Sequence, residues 1–312
     1  MRRLPRALVL ATALLAFAVI GLGAYVRLSD AGLGCPDWPG CYGQLSPHHA
    51  AGAIAEAQAR WPEGPVSPAK AWKEMVHRYL AGLLGLAIAV IAALAWRRGP
   101  GADRRLALAL AGLVLLQGLL GMWTVTLALM PVIVSAHLLG GMATLALLVW
   151  LAARQDGQPA RGRERPGLAA LALVALAIQI VLGGWVSSHY AALACADFPT
   201  CGGVWWPPAD WSAAFRIDGA AGSDALVAMH WAHRLGALLV SLAVAALAWR
   251  LWRKGRSVAG WLLLGLLAGQ LALGVANVLA GLPLAVAVAH NLGAASLLAS
   301  LVWFSAKRRR AG

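Results

Sequence analysis

Apolar positions in this chain come in long, nearly unbroken blocks, with neither the alternation of a half-buried strand nor the narrow stripe of a soluble helix. Eight blocks rich in Ala, Leu and Val fall at about 7–26, 76–96, 106–127, 131–152, 168–187, 226–249, 259–280 and 284–305. Roughly 20 helical residues are needed to cross about 30 Å of hydrocarbon, so each block predicts a membrane-spanning helix. The first follows "MRRLPR" but is long for a signal-peptide core and ends in no small-residue cleavage site, so it reads as a retained helix. The expected fold class is all-α: a polytopic membrane protein of eight transmembrane helices, arranged as two pseudo-symmetric four-helix bundles over 1–160 and 161–312.

Composition agrees. The 312 residues are 61% hydrophobic and 12% charged, too apolar for a soluble core and shell of that length. A net charge of +14 first suggests nucleic acid, but its distribution excludes that reading. The basic residues at the N-terminus and in 97–105, 154–165, 250–256 and 307–310 make up 19 of the 26, all on one side of an eight-helix path. Nine of the 12 acidic residues lie on the other side. This is the positive-inside bias, which places both termini in the cytoplasm or its equivalent, with membrane lipid as the chain's surroundings.

The outer side then carries two long loops, about 28–74 and 188–225, and these hold all four cysteines. "GAYVRLSDAGLGCPDWPGC" (23–41) and "GGWVSSHYAALACADFPTC" (183–201) align without a gap. They share Gly23/Gly183, Val26/Val186, Leu33/Leu193, Cys35/Cys195, Asp37/Asp197, Pro39/Pro199 and Cys41/Cys201. An outer, oxidising compartment favours a disulfide within each loop, Cys35–Cys41 and Cys195–Cys201. Free thiols are the alternative; a copper site is disfavoured because no His or Met is interleaved. So small a ring shapes its loop more than it stabilises the fold.

The duplication extends into the helices. "KEMVHRYLAG" (73–82) matches "MHWAHRLGA" (229–237), which aligns His77-Arg78 with His233-Arg234. "LLQGLLG" (115–121) echoes "AGQLALG" (268–274), and "SAHLLGG" (135–141) matches "VAHNLGA" (288–294), aligning His137 with His290. Each half thus has one histidine on its second helix and one on its fourth. Those two helices run parallel, which puts both imidazoles at similar depth in the outer part of the bilayer. Two imidazoles across a four-helix bundle suit the axial positions of a haem, and Gly82, Gly85, Gly140, Gly141, Gly236 and Gly293 leave room for a macrocycle. Ionisable residues at such depth are costly and mark function, whereas a lone His commonly only hydrogen-bonds a neighbour. Arg78 and Arg234 stand at the outer boundary, either to pair with a haem propionate or to snorkel. His48 and His49 read as solvated, His189 as a helix-end residue, and His230 as a second choice to His233.

One position breaks the symmetry. Glu74, three residues before His77, shares its helix face, while the matching residue before His233 is His230. A carboxylate there can accept a proton or offset a developing positive charge, so Glu74 is the candidate catalytic group. The competing reading is an acidic residue favoured at a helix start.

"EMVHR", "SAHLLGG", "AHRLGA", "AHNLGA" and the two Cys-x5-Cys loops, taken in order, resemble the haem A synthase family over nearly the whole chain. The resemblance implies an oxidoreductase that converts the C8 methyl of haem O to a hydroxymethyl group, then to a hydrated aldehyde that loses water to leave a formyl. It implies a substrate haem between His77 and His137, with Glu74 in the reaction, and a haem b cofactor between His233 and His290. It also implies a disulfide in each outer loop. Candidate partners are a haem O synthase, an electron-transfer partner and a second copy of the chain. Two rivals remain: a two-haem cytochrome b electron carrier, and a haem carrier or assembly factor without catalysis.

Overall fold

The computed structural model describes residues 4–155, 167–217 and 221–306. The expected boundary at 160/161, Arg2, Arg3 and most of the basic segments 154–165 and 307–310 lie outside them. The chain divides into two compact units, Met1–Gln155 and Asp156–Gly312.

The first unit contains α1 (Arg6–Leu28), α2 (Ala51–Arg60), α3 (Pro68–Trp96), α4 (Ala102–Thr126) and α5 (Pro131–Gln155). Both α1 and α4 pack on α3 and on α5, closing a ring in which α3 and α5 occupy opposite corners. The second unit contains α6 (Gly167–Ser188), a 3-10 turn at Ala191–Leu193, α7 (Ser223–Arg253), α8 (Ser257–Leu279) and α9 (Leu284–Ala306). Here α6 and α8 each pack on α7 and α9, so α7 and α9 take the opposite corners. Among the described residues no strand forms; the only bridges are Cys41 with Gln44 and Cys201 with Val204.

Among the described residues, eight helices are long and apolar enough to cross a membrane, and at most a third of each apolar window is buried. Leu14, Leu86 and Leu115 in the first unit, and Leu171, Leu239 and Val258 in the second, are exposed. Large apolar side chains so placed require lipid as the outer solvent, and only helices or closed barrels satisfy their backbone polar groups there. The N-terminal helix is integral to its bundle: Val9, Ala13, Ala16 and Val19 are buried.

Two helices start earlier than hydropathy predicts. Helix α3 begins at Pro68, because Ser67 caps it by accepting from Lys70 N–H and Pro68 is preorganised for the first turn. Its first two turns are amphipathic, which a hydropathy window discards. They matter here, because they hold Glu74 in one helical register with His77 and Arg78 of the next turn. Helix α7 likewise begins at Ser223, with Asp224 in its first turn. Helix α2, hidden in the polar stretch between α1 and α3, buries Ile54 in a small core with Cys35, Cys41, Ala50, Ala71 and Met75.

Candidate functional site

Each of the four aligned histidines rests on a glycine of a neighbouring helix. A Cβ added at Gly23 of α1 would lie 3.0 Å from His77 Cε1, and one at Gly121 of α4 would lie 3.5 Å from His137 Cε1. In the second unit, Gly183 of α6 and Gly274 of α8 stand in the same relation to His233 and His290, at 3.1 Å each. The members of each pair sit on helices at opposite corners of their ring. The Nδ1 atoms of His77, His137 and His290 are buried with no hydrogen-bond partner.

Glutamines line three of these sites. Gln117 of α4 lies over Gly140, Gln270 of α8 over Gly293, and Gln179 of α6 over Gly236, so closely that a Cβ on any of the three glycines would collide with the amide. Each glycine is three residues beyond a histidine. Gln270 Nε2 is 3.4 Å from His290 Nε2, and Gln179 Nε2 is 3.0 Å from His233 Nδ1 and donates to His233 O at 2.9 Å.

The cysteine loops sit directly against α3 and α7. Cys35–Cys41 and Cys195–Cys201 are both disulfides, and no free cysteine remains. In each ring an aspartate caps the turn. Asp37 accepts from the N–H of Tyr42 and of Gly43, both at 2.6 Å, and Asp197 accepts from Gly202 and Gly203 at 2.7 and 2.9 Å. The Thr200 hydroxyl and these amides hold the Asp197 carboxyl down at about 2. Asp37 and Asp197 match in the repeat, which carries the signal; their turn-capping role depends on the folded loop.

Glu74 and Arg78 fasten the first ring to α3. Glu74 is 4% exposed; its Oε2 accepts from Cys35 N–H at 2.9 Å and its Oε1 from Arg78 Nη2 at 2.5 Å. Arg78 Nη1 donates to the carbonyls of Asp37, Pro39 and Gly40. In the second ring His230 stands where Glu74 stands, with Nδ1 facing Cys195 N–H at 3.3 Å and Nε2 3.3 Å from Arg234 Nε. Arg234 donates to the carbonyls of Thr200, Cys195 and Asp197. Both arginines therefore direct their guanidinium donors into loop backbone. His230 is buried at the loop junction, while His189 packs against Trp185 with the rings tilted by 47° and their centroids 4.4 Å apart. His49 Nδ1 lies 3.1 Å from the Ser46 hydroxyl at the surface.

The family described as "Cytochrome oxidase assembly protein" matches residues 6–302. A "Heme A synthase" of Shewanella oneidensis is 46% identical over 299 residues, covering 91% of this chain and 90% of that protein. Proteins of the same name from Rhizorhabdus wittichii and Maricaulis maris are 30% and 31% identical, over 94% and 97% of this chain and 91% and 95% of theirs. A family match over nearly the whole length, with curated relatives matched almost end to end, settles the affiliation: this chain belongs to the cytochrome oxidase assembly proteins of the haem A synthase family.

Proposed function

We propose that this membrane enzyme is a haem A synthase, an oxidoreductase that converts the C8 methyl of haem O to a formyl group in its N-terminal unit. Relatives of that name match it over nine-tenths of its length. Two successive two-electron oxidations would take the methyl to a hydroxymethyl and then to a hydrated aldehyde, which loses water.

The residues fit a haem in each unit. Buried imidazole nitrogens without partners at His77, His137 and His290 are ligand atoms in waiting. No group of three or more His, Cys, Asp or Glu able to hold a metal occurs among the described residues. A pair of histidines needs the remaining donors from a macrocycle, and a bis-histidine haem is that case. His77 and His137 would hold the substrate haem; His233 and His290 would hold a resident haem b. A haem b there supplies one-electron redox chemistry. The protein's part is to fix both ligands, keep lipid and water off the ring edge, and position charge.

Glu74 is the observation that carries the assignment of roles. It is the one buried carboxylate among the described residues, and His230 replaces it in the second unit. Cys35 N–H and Arg78 fix its orientation without exhausting it, since a carboxylate offers about four acceptor sites. It can therefore take a proton or offset positive charge near the reacting methyl. Arg78 and Arg234 place positive charge at the loop junctions, but their donors are taken up by loop carbonyls, Glu74 and His230, so toward a haem propionate they would act by charge and not by direct pairing. The positive-inside count supports cytoplasmic termini in the inner membrane of a bacterium. A haem O synthase and an electron-transfer protein are the partners that the chemistry asks for, and a homo-oligomer is compatible with the exposed apolar faces.

The test is extraction of haem from cells that make haem O, with and without this chain. Haem A should appear only with the chain. Haem O that stays unconverted while bound to the purified protein would instead mark a haem carrier.

A further inference from the structure

The turn between α7 and α8 lies at the end of the second unit remote from its cysteine loop, and the proposed chemistry makes no use of it. A Schellman motif closes it. Gly255, at φ +72°, donates from its N–H to Trp252 O at 3.0 Å, and Arg256 N–H donates to Leu251 O at 2.9 Å. The two helix ends are thus held in one arrangement, and three tryptophans meet there. Trp252 faces Trp249 edge-on with ring centroids 5.8 Å apart, and tilts against Trp261 of α8 at 5.2 Å. Trp249, Trp252 and Trp261 are 59%, 46% and 58% exposed. At the end of a membrane-spanning helix such rings suit the lipid–water interface, which accommodates an apolar body and a polar N–H together.

The charge beside these rings is of one sign. Arg250, Arg253, Lys254 and Arg256 crowd around the turn, and no Asp or Glu follows Asp224 in the sequence. Arg256 lies over the Phe304 ring of α9 at 5.8 Å. Among the described residues, no carboxylate pairs with Arg250 or Arg253. The corresponding end of the first unit carries an anion of its own: Asp103 accepts from Arg154 Nε at 2.7 Å and from Gln155 Nε2 at 3.0 Å. Helical register orders the patch. Arg253 lies one turn beyond Trp249 on the same face of α7, with the cation at the helix end and the ring one turn deeper. A phospholipid has the same order, with its phosphate outermost and its glycerol and acyl chains beneath.

We infer that the α7–α8 turn is a binding site for an anionic phospholipid. Arg250 and Arg253 take the headgroup phosphate, and Trp249, Trp252 and Trp261 hold the glycerol and the upper acyl chains. Inorganic phosphate would satisfy the arginines alone. A zwitterionic lipid brings a cation of its own to a patch that is already positive, so the site selects a lipid of net negative charge. Each Lys or Arg near an anionic lipid surface contributes roughly fivefold in affinity.

The test uses the purified full-length protein, stripped of lipid in detergent, with native mass spectrometry counting bound lipid during titration. The parent should hold one phosphatidylglycerol more tightly than any further one and more tightly than phosphatidylcholine, and excess inorganic phosphate should not displace it. Arg250→Gln/Arg253→Gln should weaken that binding about 25-fold, at roughly fivefold for each charge. Trp249→Ala/Trp261→Ala should weaken it with the arginines intact. The parent's own selectivity stands as a separate test should the variants fail to fold. Equal affinity of the parent for phosphatidylcholine, displacement by inorganic phosphate, or unchanged phosphatidylglycerol binding in a folded double-arginine variant would overturn the inference. So would a lipid-free dimer that the same two arginine substitutions dissociate.

Discussion

Two cysteine rings of equal size lie over the starts of α3 and α7, and the helix beneath each fastens it with different chemistry. Under the first ring the acceptor for the leading cysteine's N–H is a carboxylate, Glu74, itself paired with Arg78. Under the second it is a neutral aromatic acceptor, His230, with Arg234 alongside. The rings also differ in fit. Gly34 approaches α3 so closely that a Cβ would lie 2.6 Å from the Lys70 carbonyl carbon, whereas the aligned position in the second ring is Ala194. The same architectural part thus serves as a plain clip in one unit and, in the other, as the device that orients a buried carboxylate. The scaffold has its clamp in both units and a buried carboxylate in one.

The largest separation between the units should appear on removing a histidine. His233→Ala or His290→Ala is expected to abolish the haem b signal of the purified protein. His77→Ala or His137→Ala should leave that signal and instead remove bound haem O. A full haem b spectrum in both C-terminal variants would dissolve the proposed pairs.

Next in size is the clamp itself. Arg78 and Glu74 side chains are only 12% and 5% exposed, so Arg78→Ala leaves a buried carboxylate without its counter-charge, at a cost of about 3–5 kcal/mol. Arg234→Ala leaves only loop carbonyls and a neutral ring unpaired, about 1–3 kcal/mol. Thermal unfolding in detergent should rank the first variant below the second. The reverse order would mean that the Glu74–Arg78 pair does not hold its loop.

Much of this comparison was legible before any coordinates. Hydropathy located eight spans because lipid, as solvent, imposes a length and a polarity on each. The repeat aligned the four histidines, and the swap of Glu74 for His230 stood out against it. What escaped were features whose cause is local polar bonding. Helix α2 lies in a polar loop with no apolar block to announce it. The two extra turns of α3 depend on the Ser67 cap and on Pro68. That His230 replaces Glu74 as acceptor for a cysteine N–H needs the loop's folded position, which spacing alone does not supply. Gln179 was concealed for the opposite reason: its partner in the repeat is Val19, so a search for matching polar residues passes over it.

The smallest expected effect is acid tolerance of the second ring. The Asp197 carboxyl is held down at about 2 by the Thr200 hydroxyl and the Gly203 and Gly202 amides, against about 3.9 for a free aspartate. A depressed pKa stabilises the turn above the unfolded value and loses that contribution as pH falls through the folded one. Hydrogen exchange at the Gly202 and Gly203 amides should therefore stay slow down to about pH 3 and speed up as pH approaches 2. Thr200→Val should move that onset upward, and an onset that did not move would remove the hydroxyl from the explanation.

The central claim is that catalysis belongs to the unit with the carboxylate. It is tested most directly by the haem content of Glu74→Gln in cells making haem O. Gln preserves size and can still accept from Cys35 N–H, but it carries no charge and takes no proton at working pH. The account predicts haem b at the parental level, which also reports an intact fold, with haem O or its hydroxylated intermediate accumulating at the expense of haem A. Haem A formed at the parental rate by a Glu74→Gln protein that keeps its haem b would contradict it.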